Sequence, residues 1–418
     1  MGVADKSIAS HVSGDRLWDR LMALARFGAT EAGGVCRLAL TREEIEARAE
    51  LVKWARDIGL EPSVDGVANL FLRLEGSEPE LPPILTGSHI DTQPTGGKYD
   101  GAYGVMAALE SVEAIARSGR RPRRSIDVVA WVNEEGSRFA PGMMGSAVFA
   151  GFRRMEEVEA LTDADGCSVR EALAQVLAAE EALPRRPVGF PVAAFVEAHI
   201  EQGVVLEREA TTIGVVIGIQ GKRTIRVEIQ GEDSHAGTTP RSARRDALVS
   251  AVNVVQALQD AMWDEADTVR FTIGKFTVTP NAPSVVPGKV VFSIDLRHDD
   301  AETVQTLGDK IPGICEAASG KCTATVHELL HDKPLEFPTS MRGRISDAAA
   351  RLGLSHMELP SPAGHDARYL HYICPTGMLF IPCKGGISHN EAESVTKADA
   401  TAGAQALTEV LFDLAEQT

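Results

Sequence analysis

Apolar positions along the chain switch between a helical spacing near 3.6 and the alternating or unbroken runs of strands. Residues 14–28 and 41–58 carry the helical period. In the second, Ile45, Ala49, Leu51, Val52 and Ala55 follow Thr41 and Glu44, a pair spaced as a capping box, and Gly59 closes the helix. VDGVANLFLRLEG, 64–76, predicts a hairpin, with Asp65-Gly66 as its turn or as a bulge before the strand. LPPILTGSH predicts a buried strand, and GAYGVMAALESVEAIARSG an amphipathic helix stopped by Gly119. SIDVVAWVNEEG reads as a strand running into Asn133, Glu134 and Glu135. Strand, loop, helix, strand, loop is the order of an α/β domain with a mostly parallel sheet. A polar excursion over 151–187 contains helical stretches at 156–161 and 168–182. VAAFVEAHIEQG, 192–203, begins as a strand and ends as a helix, with His199 near the change.

From about residue 213 the texture differs. Strand 222–231, helix 242–262, strands 268–278 and 284–297, a helix over about 301–319 and strand 321–329 follow one another. That β-α-β-β-α-β order is ferredoxin-like. The division this predicts is a first domain over 1–212 and 331–418, interrupted by an inserted α+β domain over 213–330. After 336 the alternation resumes, with a helix ending near Leu352-Gly353, a helix around 364–372, strand 378–382 and a last helix over 396–415.

Bulk properties narrow the function. A chain of 418 residues has room for two domains, and a net charge of -17 leaves no basic face for nucleic acid. The densest basic run, Arg120, Arg121, Arg123 and Arg124, falls between a helix and a strand and reads as a solvated loop. No apolar stretch approaches a membrane span. The first residues have no apolar signal core, and Gly2 alone does not argue for myristoylation. The six cysteines show no CxxC pairing and read as reduced thiols of a cytoplasmic protein.

Candidate chemistry gathers where strands end. ILTGSHIDTQPTGGKYD, 84–100, carries His89, Asp91 and Asp100 past a strand's C-terminal end, where open α/β sheets place their sites. Glu134 and Glu135 follow another strand, His199 follows a third, and His389 lies in a late loop. Two close divalent ions need a carboxylate bridge and imidazole or carboxylate ends, and His89, Asp100, Glu135, His199 and His389 supply that set. Oxygen and nitrogen donors without thiolate suit zinc, manganese, cobalt or nickel. Of the adjacent Glu134 and Glu135, one can ligate while the other serves as general base to the hydrolytic water. Asp91 fits an orienting role for His89, or simply ties the loop. His235 in EDSHAGTTP, Arg297 in SIDLRH and Asn281 in TPNAP suit oxyanion and carboxylate contacts. Each also has a plain alternative, as a loop hydrogen bond, a surface ion pair and a turn cap respectively.

GSHIDTQPTGGKYDG, NEEGSRF, EAHIEQG, HAGTTP, DLRH, AGHDA and GISHNEAE, in this order and across nearly the whole chain, resemble the M20 metallopeptidase-like amidohydrolases, specifically the hydantoinase/carbamoylase branch. The resemblance implies two divalent ions per subunit, zinc first, in a catalytic domain whose inserted domain acts as lid and homodimer contact. Carried over by motif, His89 and His199 would bind one ion, Glu135 and His389 the other, and Asp100 would bridge. Glu134 would be the general base and Asp91 the orienting carboxylate. His235 would donate to the oxyanion in the partner subunit's site, and Arg297 would hold the substrate carboxylate. Asn281, Gln202, Gly364 and His365 would line the substrate pocket. The DTQP form is similar to β-ureidopropionases, which points to N-carbamoyl-β-alanine, with N-carbamoyl-L-α-amino acids or allantoate as alternative ureido substrates. A deacylase, a peptidase and a scaffold without activity are further alternatives. Two departures, Pro362 in place of a glycine and Arg241 in place of a common methionine, bear on the pocket rather than on the ligand set.

Overall fold

The computed structural model describes residues 7–417, so Gly2, the acylation candidate, lies outside it. The chain forms two compact units. One runs to Ile217 and resumes over Phe337–Leu359 and from Gly364, and the other comprises Gly218–Glu336 with Pro360–Ala363.

The first unit is built on a mixed sheet. Its middle four strands are parallel, in the order Ile126–Trp131, Ile84–His89, Ala194–Ile200, Thr376–Ile381. Every residue of these four is buried, as expected of a sheet covered on both faces, and that is why their sequences are unbroken apolar runs. The hairpin Glu61–Val64 and Leu70–Leu74 extends one side and Ile213–Ile219 the other, both antiparallel. Helices Ala102–Arg117 and Lys397–Ala415 pack on each other and on the sheet. The expected excursion contains Met155–Glu159 and Val169–Ala179, the latter opened by a true Ser168–Glu171 capping box.

Several local expectations give way. Thr41 and Glu44 form no capping box. Thr41 Oγ1 donates to the Leu38 carbonyl at 2.7 Å, and Glu44 accepts from the Leu40 N–H at 2.5 Å. The stretch 192–203 does not turn helical at His199. Strand pairing carries it through Ile200, with His199 opposite Phe380, and the helix begins only at Val205, where Glu201 accepts from the Val205 and Leu206 amides at 2.7 and 2.9 Å. Strands Ile213–Ile219 and His356–Ser361 had no place in the reading by period.

The second unit is a four-stranded antiparallel sheet in the order Thr323–Asp332, Gly221–Gln230, Lys289–His298, Arg270–Thr279. With helices Ala247–Met262 and Ala301–Ala318 it completes the ferredoxin-like arrangement, and Ile225, Val227, Val290, Phe292 and Ile294 build its core. The expected strand 284–297 is split at Pro287-Gly288. Val285–Val286 turns away to pair with Ser234–His235, while Lys289–His298 enters the sheet. The helix expected from 242 starts at Ala247, behind the Asp246 carboxylate that caps it.

Candidate metal centre

Four parallel strand ends converge on one cluster. His89 is the last residue of its strand, and Glu134 and Glu135 follow Ile126–Trp131. His199 sits one residue before the end of Ala194–Ile200, and His389 lies in the loop after Thr376–Ile381. Asp100 enters from the long loop after His89, just before helix Ala102–Arg117. Gly101 makes this approach possible. It adopts φ +61, and a Cβ there would come closer than 3.0 Å to three atoms of the His89 ring.

Asp100 is the pivot. Its Oδ1 lies 3.2 Å from His199 Nε2 and 3.7 Å from His89 Nε2, while its Oδ2 lies 3.3 Å from His389 Nε2. Glu135 Oε2 is 3.4 Å from the same His389 nitrogen. Two donor groups therefore meet at one carboxylate: His89, Asp100 and His199, and Asp100, Glu135 and His389. Zinc bonds of about 2.0–2.1 Å in a tetrahedral shell place neighbouring donors roughly 3.3 Å apart. The observed separations match that spacing, so the residues fit a pair of ions that share Asp100.

The electrostatics fit as well. Burial drives His89 down to about 4, leaving it neutral and able to ligate. Burial alone would raise Asp100, but hydrogen bonds from His199 and His389 hold it well below the usual carboxylate range. The reverse pull raises both histidines to about 9, against burial in His199 and aided by Glu135 in His389. Burial, and then the charge of Asp100, raise Glu135 to about 7. Glu134, 3.6 Å from His89 Nε2, is pushed well above its ordinary range by burial and by Asp366 and Glu135. So many carboxylates crowded out of water call for positive charge among them, which divalent ions supply.

Around this set lies a shell of hydrogen bonds. His89 Nδ1 bonds the Asp91 main-chain carbonyl at 2.9 Å, not its carboxylate, which lies 3.6 Å away. That carboxylate instead accepts from the Glu134 and Glu135 amides, each at 3.2 Å, so Asp91 ties the two loops together. Gln202 donates to Asp100 Oδ2 at 2.9 Å and to Ser388 at 3.1 Å, which commits its amide nitrogen to the pivot. His365 is buried against His199, ring centroids 4.6 Å apart, and the two form a third acid–imidazole group with Glu197. Its neighbour Gly364 lies beside Met143.

His235, Asn281 and Arg297 belong to the second unit. His235 Nδ1 accepts from the Gly237 and Thr238 amides at 3.0 and 3.1 Å, so the neutral ring carries its proton on Nε2. Asn281 adopts φ +56 in an exposed turn. Arg297 forks onto Asp295, at 2.7 and 3.2 Å, and reaches the Pro362 carbonyl at 3.0 Å.

Four further residues lie within the quoted motifs but have no role assigned from them. Glu393 accepts from the Tyr99 and Asp100 amides at 2.8 and 3.1 Å. Ser388 donates to Asp100 Oδ2 at 2.7 Å. Glu197 accepts from Ser88 Oγ at 2.7 Å and from the Ala367 amide at 3.1 Å. Gln93 donates to Glu135 at 2.7 Å. Period two within the strand was the available signal for Glu197, since it shares a face with His199. The others are loop residues fixed only by tertiary contact.

Comparison with known proteins agrees with this architecture. Residues 85–413 match the family described as Peptidase family M20/M25/M40. The chain is 38% identical over 411 residues to the N-carbamoyl-L-amino-acid amidohydrolase of Rhizobium meliloti, covering 97% of each. It is 35% identical to the allantoate amidohydrolase of Bacillus subtilis, over 95% of this chain and 97% of that one. An amidase of the hydantoinase/carbamoylase family from Burkholderia vietnamiensis, solved by crystallography, superposes with TM-score 0.90 at 40% identity, over 100% of both chains.

Proposed function

The chain is an amidohydrolase of the M20 family's hydantoinase/carbamoylase branch, and on that premise we propose that it hydrolyses the carbamoyl C–N bond of N-carbamoyl-β-alanine. Cleavage gives an amine and an unstable carbamate, which loses carbon dioxide, so that β-alanine, ammonia and carbon dioxide are released. The observation that carries the hydrolytic reading is the two-sided arrangement at Asp100, with Glu134 3.6 Å from the His89 ring. His89 and His199 would hold one ion, Glu135 and His389 the other, with Asp100 between them and zinc as the resident metal. When bound, such ions polarise a carbonyl oxygen and make water acidic enough to attack at neutral pH.

The remaining steps fall to side chains. Glu134 takes the proton of the attacking water and returns it to the departing nitrogen, work suited to a carboxylate whose proton affinity burial has raised. Asp91 holds Glu134 and Glu135 in register through their amides. His235, with its proton on Nε2, donates to the oxyanion, and Arg297 holds the substrate carboxylate, while Asn281, Gln202, Gly364 and His365 shape the pocket. Because Arg297 is already forked onto Asp295, substrate has to share or displace that partner. The inserted unit serves as lid and as the contact of a homodimer, in a cytoplasmic enzyme. Among the described residues no helix is long and apolar enough to cross a membrane.

A second reading takes N-carbamoyl-L-α-amino acids as substrate, favoured by the name of the Rhizobium meliloti relative. Ammonia release by metal-stripped protein, reloaded with zinc or manganese, separates the two. The panel is N-carbamoyl-β-alanine, several N-carbamoyl-L-amino acids, allantoate and an N-acetyl amino acid, with Glu134→Gln as control. Highest kcat/KM on N-carbamoyl-β-alanine supports the first reading, and preference for an α-carbamoyl acid or allantoate replaces it. Absence of metal-dependent turnover on every ureido compound defeats both.

A further inference from the structure

Beyond the ligand set, the loop Asp91–Gly97 contributes a side chain that metal ligation leaves without a task. Gln93 Nε2 donates to Glu135 Oε2 at 2.7 Å, and that oxygen is the one 3.4 Å from His389 Nε2. The other end of the amide is occupied too, since Ser137 Oγ donates to Gln93 Oε1 at 2.7 Å. A glutamine amide can present either its oxygen or its nitrogen to a neighbour. The Glu135 carboxylate, an acceptor when ionised, selects the NH2 group, and the Ser137 hydroxyl then ties down the oxygen at the other end. Ser137 lies two residues after Glu135, so the three side chains close a ring through the loop that follows strand Ile126–Trp131.

Like three of the other donors, Glu135 is tethered from outside the ligand set. His89 and His199 are each tethered through Nδ1 to a main-chain carbonyl at 2.9 Å, and Asp100 is held by Gln202, Ser388 and the Glu393-bound backbone. For the Glu135 carboxylate, the orienting hydrogen bond from outside the ligand set comes from Gln93. Partners of this kind, one step outside the ligands, commonly carry about 10–100-fold in metal affinity.

We infer that Gln93, tethered by Ser137, is a positioning residue that presents Glu135 to the ion on the His389 side and so sets the affinity of that one site of the pair. The inference rests on the di-metal reading.

The test is a stepwise zinc titration of metal-stripped protein against a chromophoric chelator, with wild type, Gln93→Met and Ser137→Ala. Methionine keeps the length of the side chain and removes the donor. The expected result is two sites in wild type. In Gln93→Met the weaker or stronger of these, identified as the His389 site by its loss in His389→Ala, weakens about 10–100-fold while the other is unchanged. Ser137→Ala moves the same site in the same direction by less. A merely structural role for Gln93 would lower thermal stability and leave both affinities in place or shift them together, and either pattern overturns the inference. Wild type that binds fewer than two ions overturns the di-metal reading itself.

Discussion

Gly101→Ala attacks the centre without touching a ligand. The backbone there sits at φ +61 and ψ -48, outside the left-handed helical basin, so any Cβ incurs strain of about 1–3 kcal/mol. The larger effect is steric. The new methyl would lie closer than 3.0 Å to three atoms of the His89 ring, whereas carbon contacts relax near about 3.5–4.0 Å, so ring or loop must retreat by roughly an ångström. The ring cannot swing freely, because its Nδ1 is bonded to the Asp91 carbonyl at 2.9 Å. The loop cannot retreat without cost either, because the adjoining Asp100 is held by Glu393 through its amide and by Gln202 and Ser388 through its carboxylate. A displacement of about 1 Å at reacting groups costs on the order of 10²-fold in rate. Gly119→Ala is the control. It also sits at positive φ, +74, and a methyl added there would have nothing within 4 Å, so it adds backbone strain with no ring to push. Gly101→Ala is expected to lose about 100-fold in kcat/KM and to bind metal more weakly, with the metal-free protein still folded by circular dichroism. Gly119→Ala should lose stability only. Equal activities in the two variants, or wild-type metal binding by Gly101→Ala, would refute the claim that this glycine exists for the close approach to His89.

Other outcomes follow from the same geometry. Asp91→Asn keeps one acceptor and abandons one of the two amides it now holds, at a cost of about 1–3 kcal/mol in urea denaturation, and it should weaken metal binding about 10–100-fold by calorimetry. Metal uptake should depend on pH in a defined direction. His199 and His389 are raised to about 9, so both hold protons at pH 7 in the metal-free protein and must release them when an ion binds. Affinity should climb from pH 6 toward about 9 and level off above it, and titrations in buffers of different ionisation heat should report proton release; affinity that stays flat across this range contradicts the shifts. In the metal-free protein the same raised histidines favour the fold below about pH 6.5, a gain lost as pH rises through about 9. Far from the site, Arg48→Ala strips a buried bidentate pair, at 2.7 and 2.8 Å, from Glu180 and should cost about 3–5 kcal/mol in urea, with activity per folded molecule unchanged.

How far the sequence can be read depends on how local the cause of each feature is. The four central strands were legible because burial on both faces forces unbroken apolar runs, and the two long helices because their apolar faces repeat over many residues. Ile213–Ile219 was not, although it is as apolar as the others. It lies between a short helix and the next strand with a single residue, Gln220, separating it from Gly221–Gln230, so nothing in the local pattern marks two strands rather than one. The change from strand to helix expected near His199 fails for a related reason. The polar pair Glu201-Gln202 ends the apolar run early, and only register with Thr376–Ile381 extends the strand past it.

At the centre the same division holds between what a motif states and what a contact decides. Donor residues at strand ends are conspicuous as a set: any one histidine or carboxylate there can be structural, but five recurring where buried strands meet loops point to one site. The residues that orient them are chemically ordinary. Gln93, Ser137 and Ser388 could sit in any polar loop, and Glu393 lies 293 positions from the Asp100 amide it holds. The Asp91 case shows the limit most clearly. Spacing of two residues suggested a carboxylate on the His89 ring, yet the chain's turn brings the carbonyl there instead and sends the carboxylate to a neighbouring loop. A short interval along the chain identifies which residues are neighbours; the direction in which the backbone leaves the strand selects the atom that makes the bond.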